Sequence, residues 1–189
     1  SDFSFSISGG VATLSNSSPS SLSKNSNVYT LGLSISGAPN GQETITINPK
    51  DNGIYDLVGN EASTSQNNNS ITLNDKVVPV ISSSLVDGSN NFIDITMSES
   101  VYANNNSSAP ILISDFAIAF NQNNGNASSV SINSIKKNDN VAQGSASVLT
   151  GGESIIRVFL NVNGTPSGHE TISISPIDGS SIFDEVGNV

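Results

Sequence analysis

The chain repeats itself, and that repeat limits what it can fold into more than any other feature. Ser36-Gly37-Ala38-Pro39-Asn40-Gly41-Gln42-Glu43-Thr44-Ile45-Thr46-Ile47-Asn48-Pro49 returns as Asn163-Gly164-Thr165-Pro166-Ser167-Gly168-His169-Glu170-Thr171-Ile172-Ser173-Ile174-Ser175-Pro176. Ile54-Tyr55-Asp56-Leu57-Val58-Gly59-Asn60 returns as Ile182-Phe183-Asp184-Glu185-Val186-Gly187-Asn188, and Ser1-Asp2-Phe3 as Ser114-Asp115-Phe116. Asp2 and Asp115 are 113 residues apart, and Asp56 and Asp184 are 128 apart. A period of that length is a domain, because solenoid repeats run to only ~20–50 residues. The chain therefore reads as a window on a tandem array, with a partial repeat over residues 1–75 and a second over 76–189.

Within each copy the apolar period is two. Tyr29, Leu31, Leu33 and Ile35 alternate with Thr30, Gly32 and Ser34, and their counterparts Ile156, Val158, Leu160 and Val162 alternate with Arg157, Phe159 and Asn161. Ile45/Ile47, Ile172/Ile174 and Ile93/Ile95/Met97 follow the same rule. Side chains at i and i+2 share one face of a strand, so these segments predict half-buried antiparallel strands. No apolar stripe of helical spacing competes with them, and the expected class is all-β. Gly, Pro and Asn punctuate the strands at short intervals, as in a β-sandwich. Pro79 lacks an amide donor and points to an edge strand or a strand start.

In sandwich lettering, the second copy offers A near 77–84, B near 91–98, C near 115–120, D near 128–136, E near 154–163 and F near 170–175. The first offers C (2–8), D, E (27–36), F (43–48) and G near 69–74. The first copy thus lacks A and B, and the second stops before G. Such half-sandwiches leave apolar edges that native proteins avoid, so neighbouring chain is expected to supply the missing strands. Phe3 and Phe116 are expected to be equivalent core anchors.

Sixteen acidic residues against six basic ones give a net charge of -10. That surface repels phosphate backbones and anionic lipid heads, which argues against nucleic-acid and membrane-surface partners, and it attracts divalent cations. The chain has no cysteine, which is compatible with either a reducing or an oxidising compartment. No apolar run approaches the ~20 residues of a membrane helix. Any secretion signal is expected upstream of the window.

The string SDFSFSISGGVATLS…VYTLGLSISGAPNGQETITINP…IYDLVGNEASTSQNNNSITLNDKVVPVISSS resembles the tandem immunoglobulin-like repeats of very large bacterial surface adhesins. Such repeats are frequent in Bacteroidota, and the gliding-motility adhesin is a candidate member. IYDLVGNEAS before a last strand and LNDKVVP opening the next domain carry the resemblance. The second copy departs from it around Lys136-Lys137-Asn138-Asp139-Asn140. The resemblance implies tandem immunoglobulin-like antiparallel β-sandwiches forming an extracellular stalk or filament at the cell surface, in adhesion or gliding motility. Neighbouring repeats of the same long chain are its expected partners, with surface glycans or other cells beyond them.

Chemistry is sparse. His169 is the only histidine, and its counterpart is Gln42, so it reads as a turn residue rather than a catalytic base. Without Cys, and with one His, the usual zinc sites and Ser-His or Cys-His nucleophile systems cannot be assembled. No enzymatic activity is expected. Thr44/Thr46 and Thr171/Ser173 read as a flat face for carbohydrate or ice, or as the wet side of a sandwich strand. Sequons such as those at Asn16, Asn105 and Asn126 are expected by chance in so Asn- and Ser-rich a chain.

Calcium is the sharper expectation. Strand alternation carries the approach to A, the end of B and the F–G connection to one pole. That pole would bear Asn74, Asp75, Glu99, Asp184 and Asn188, with Asp56 and Asn60 as equivalents in the first copy. Calcium takes ~6–8 oxygens, which three loops could supply. The competing reading makes Asp56 and Asp184 formers of Asx turns ahead of Gly59 and Gly187, with no metal. The alternatives to a mechanical role are a glycan-binding sandwich and an accessory domain of a secreted polysaccharide hydrolase.

Overall fold

The computed structural model describes every residue from Ser1 to Val189. It is 42% strand and 2% helix, and every paired strand runs antiparallel. The chain divides into two compact units, Ser1–Val77 and Val78–Val189. The all-β expectation therefore holds.

The first unit contains β1 (Phe3–Ser8), β2 (Thr13–Leu14), β3 (Leu22–Asn25), β4 (Val28–Leu31), β5 (Ile35–Ser36), β6 (Thr44–Pro49) and β7 (Ser70–Thr72). One sheet has the order β1-β6-β7, while β2–β5 and β3–β4 are separate pairs. Phe5, Ala12 and Ile45 are its buried apolar side chains. The single long strand expected over 27–36 is broken here. At Gly32 the chain closes on Ser20 and Ser21: the Ser20 amide donates to the Gly32 carbonyl and the Gly32 amide to the Ser21 carbonyl, at 3.0 and 2.9 Å. A Cβ at position 32 would lie 2.4 Å from Ser21 Oγ, so only glycine permits this approach. Tyr29 and Leu33, expected to face a core, are exposed.

The second unit contains β8 (Ile81–Val86), β9 (Phe92–Val101), a single 3-10 turn (Ile113–Asp115), β10 (Phe116–Asn121), β11 (Ser129–Lys137), β12 (Glu153–Asn163) and β13 (Thr171–Pro176). The order β11-β12-β9-β8 forms one sheet, and β10–β13 forms a pair. Pro79 precedes β8, which is an edge strand, as its missing amide requires. Ile95, Val101, Ile156 and Val158 are fully buried and belong to one cluster with Ile111, Phe116 and Ile182. Ile118, Ile172 and Ile174 of the β10–β13 pair pack against that cluster.

Two expectations fail in instructive ways. Arg157 and Phe159, placed on the outward face of β12 by alternation, are both buried. Phe159 joins Phe92 and Ala146 in a small second cluster on that face. Arg157 is held over the Phe92 ring, 3.8 Å from its centroid, and reaches the Asn140 carbonyl at 2.9 Å. The segment after Lys137, where the second copy departs from the resemblance, thus covers this face of the sheet. Phe3 and Phe116 are also unequal: Phe116 is buried, Phe3 only partly, and Phe5, two residues along the same face, is the buried aromatic of the first unit.

Candidate functional site: carboxylate-clamped turns

The repeated motif places the same polar side chains in the same backbone frame in both units. Phe3 pairs with Pro49 and Ser8 with Thr44 in the first unit, and Phe116 with Pro176 and Asn121 with Thr171 in the second. The Lys50 amide donates to the Asp2 carbonyl, and the Ile177 amide to the Asp115 carbonyl, at 2.8 and 2.9 Å. β3–β4 and the end of β11–β12 also share a register, with Leu22 opposite Leu31 and Ile135 opposite Val158.

At the head of β6 stands Glu43, which is fully buried. Its Oε1 accepts from the amides of Val11 and Ala12, both at 2.8 Å, and its Oε2 from the amide of Asn40 at 2.9 Å. Glu170, at the head of β13, accepts from the amides of Ala127 (2.9 Å), Ser167 (3.0 Å) and Gly168 (3.1 Å). Each carboxylate therefore ties the turn before its strand to a second loop. Gly10 and Gly125 pass so close that a Cβ there would lie 2.1 and 2.2 Å from the carboxylate carbons. Burial pushes the Glu43 carboxyl up, and the converging amides outweigh it, so the net shift is downward. For Glu170 the Ala127 amide, with the neighbouring amides and against burial, holds the carboxyl down to about 2.

The second clamp is the Asp-x-x-Gly-Asn turn. Asp56 Oδ1 accepts from the amides of Val58 (2.9 Å) and Asn60 (2.8 Å), and Oδ2 from Asn60 Nδ2 (2.8 Å). Asp184 repeats this with Val186 (2.9 Å), Asn188 (2.8 Å) and Asn188 Nδ2 (2.6 Å). The side chain of Asn60 is the main cause that lowers the Asp56 carboxyl below its ordinary value. Only the surroundings differ. Asp56 is exposed and Asp184 fully buried.

Of the residues expected to ligate calcium, Glu99 on β9 and Asp184 are brought together in the second unit, with carboxylate oxygens within 4.8 Å of each other. Asn188 is bound to Asp184 through its amide groups. Asp75 ends the first unit, where its Oδ1 accepts from the Val77 amide at 2.8 Å and the adjacent Lys76 amide donates to the Pro39 carbonyl at 2.7 Å. Asn74 is exposed. Two carboxylates are a minority of the ~6–8 oxygens calcium needs.

The remaining candidates are surface features. His169 is exposed in the turn before β13, its carbonyl accepting from Asn123 Nδ2 at 3.1 Å. Thr46 shares a 2.8 Å hydroxyl contact with Ser70 of the neighbouring strand. An open groove of about 520 Å³ runs between Pro110–Ser114 and Ile135, Val148 and Leu149, and Lys136 is its one titratable lining group.

Two constellations were missed by sequence reasoning. The Glu43 and Glu170 clamps left a signal that could have found them, since Glu is among the few charged residues that recur at matching positions. The bidentate pair of Arg157 with Asp94, at 2.7 and 2.6 Å, was not, because its partners lie 63 residues apart and occur in only one copy. Asp94 is the main cause that raises the Arg157 pKa, against burial. Comparison with known proteins adds nothing here: no protein-family model, curated protein or solved structure matches the chain.

Proposed function

We propose that the chain is a pair of structural repeats from a tandem immunoglobulin-like array, serving as the stalk or filament of a secreted cell-surface protein in adhesion or gliding motility. The observation that carries this reading is the shared backbone frame. Both units use one register for a long-range strand pair, one glutamate clamp and one Asp-x-x-Gly-Asn turn. The polar side chains common to both copies close turns by accepting backbone amides, which is work done for the fold. A carboxylate that accepts several amides is an ionic cap, stronger than a neutral one, and it suits a module that holds its shape under load.

The surface role is tested on intact cells of the source organism. Antibody raised against the 189-residue chain should label them without permeabilisation, and loss of the gene should impair attachment or surface movement. Labelling only after permeabilisation overturns the surface reading.

A second proposal concerns calcium, favoured by the closeness of Glu99 to the buried Asp184. Like charges in partly desolvated surroundings repel, and a cation bound only to the folded state relieves that repulsion. Calcium should then raise the melting temperature of the second unit in a concentration-dependent way, and Glu99→Ala should remove the gain while Asp87→Ala leaves it. An unchanged melt with calcium and with chelator would leave Asp184 as a turn former alone.

A further inference from the structure

The second unit shows what the first unit's open strand is built to receive. In the second unit β12 lies between β11 and β9, with Ile156 opposite Ile95 and Val158 opposite Ile93. By the repeat, β4 is the counterpart of that stretch of β12, with Val28 and Tyr29 in the places of Ile155 and Ile156. β4 pairs with β3 alone, so its other edge presents unpaired backbone donors and acceptors. The burial pattern follows. Ile156 is 0% exposed, whereas Tyr29 is 44% and Val28 66% exposed.

The same difference extends past the strand. In the second unit Tyr102, just beyond β9, exchanges two backbone hydrogen bonds of 2.8 Å with Phe183, and Asp184 next to it is fully buried. In the first unit Tyr55 occupies the place of Phe183, is 52% exposed and is bridged locally to Glu61. Tyr29 and Tyr55 are thus exposed at positions whose counterparts lie next to β9 or its continuation. Lost cover explains them better than a glycan platform does.

We infer that the free edge of β4 is a docking site for an acidic β-hairpin of the chemistry of Ile81–Val101, supplied by a further repeat. Three properties define the occupant. It presents aliphatic side chains at alternate positions, as Ile93, Ile95 and Met97 do, because Tyr29 and Leu31 offer one apolar face. It runs antiparallel to β4, because β9 does so on β12. It is negatively charged: Ile81–Val101 carries Asp87, Asp94 and Glu99 and no Lys or Arg, and the cation next to Tyr29 is Lys24 of the paired strand β3, 5.3 Å from the ring centroid. The inference rests on the tandem-array part of the reading above and is independent of the cell-surface role.

The probe is a synthetic peptide of residues 81–102 added to the full 189-residue chain. Saturable binding is expected, with slowed hydrogen exchange confined to Val28–Leu31 and the Tyr55 turn. A peptide of the same composition in scrambled order should not bind. Tyr29→Asp, a change at an exposed site that leaves the fold intact by circular dichroism, should weaken binding about tenfold or more, since a charge facing aliphatic neighbours opposes strand pairing. Absence of binding, binding indifferent to Tyr29→Asp, or protection at another edge overturns the inference. Self-association of the chain through β4 without peptide would also overturn it, by making a second copy the occupant. None of these results bears on antibody labelling of cells, so failure here is distinguishable from failure of the surface reading.

Discussion

β4 and the central part of β12 begin as the same kind of strand and end in opposite surroundings. Both alternate apolar and polar residues, and both pair on one side with a strand carrying a lysine at the matching position, Lys24 and Lys137. β12 continues unbroken for 11 residues, with five consecutive buried side chains. β4 stops after four, mostly exposed. Two things make the difference. Gly32 stands where β12 has Phe159 and lets the chain fold back against Ser20 and Ser21, and no counterpart of β9 lies against β4. Propensity and pattern permit a strand, whereas length and burial come from neighbours.

The most forceful way to break that comparison is to truncate equivalent positions. Ile156→Ala should destabilise the second unit by about 4 kcal/mol, within the range for large-to-alanine changes in a packed core. Tyr29→Ala should cost the first unit about 1 kcal/mol or less, since the half-exposed ring loses only its contacts with Phe3 and Lys24. Urea melts of each variant decide it, and similar losses would mean that β4 is covered after all.

A somewhat smaller effect is expected from Asp94→Ala, which leaves Arg157 charged and largely buried. About 3 kcal/mol is expected, the low end for breaking a buried pair, because Asp94 keeps some solvent contact. Thr30 holds the place of Arg157 in the first unit, so Thr30→Ala should be nearly silent in the same melts.

The paired turns sharpen the comparison further. Asp184→Ala removes a fully buried carboxylate from the part-buried amides of Val186 and Asn188, and about 1–3 kcal/mol should be lost from the second unit. Asp56→Ala removes the same bonds at an exposed turn, where water replaces them, and should be the milder of the two in parallel thermal melts. The reverse order would show that burial does not set the value of this turn.

The smallest expected effect is on acid stability. The Glu170 carboxyl lies at about 2 in the folded chain, against an ordinary value of 4.5. A lowered folded pKa means that its stabilisation is complete above pH 4.5 and is lost as pH falls toward 2. Glu170→Gln should therefore flatten the acid limb of the second unit's stability between those values, read from melts at stepped pH. A limb as steep as in the unchanged chain would assign the acid sensitivity to other carboxyls.

Much of this molecule is written in local sequence. Period-two alternation marked β6, β9, β12 and β13, because alternation is a local property of an extended chain, and the sandwich lettering placed β1, β8, β10 and β11 to within a few residues. Turn chemistry was equally legible. Asp-x-x-Gly-Asn predicts a side chain accepting the amides that follow it, and both Asp56 and Asp184 do so.

What the sequence could not decide is cover. Alternation says that Arg157 and Phe159 share a face, and only the return of the chain between Asn138 and Leu149 makes that face dry. It says that Tyr29 and Ile156 are alike, and only the presence of β9 against β12 separates them. The same holds for Glu43, whose place in the repeat is plain in sequence and whose burial depends on the Val11–Ala12 amides 31 and 32 residues away. Backbone preference is settled by adjacent residues, whereas desolvation requires atoms brought from far along the chain. Local sequence therefore determined the turns and where strands can form, and the tertiary structure determined how long those strands run and which of them are buried.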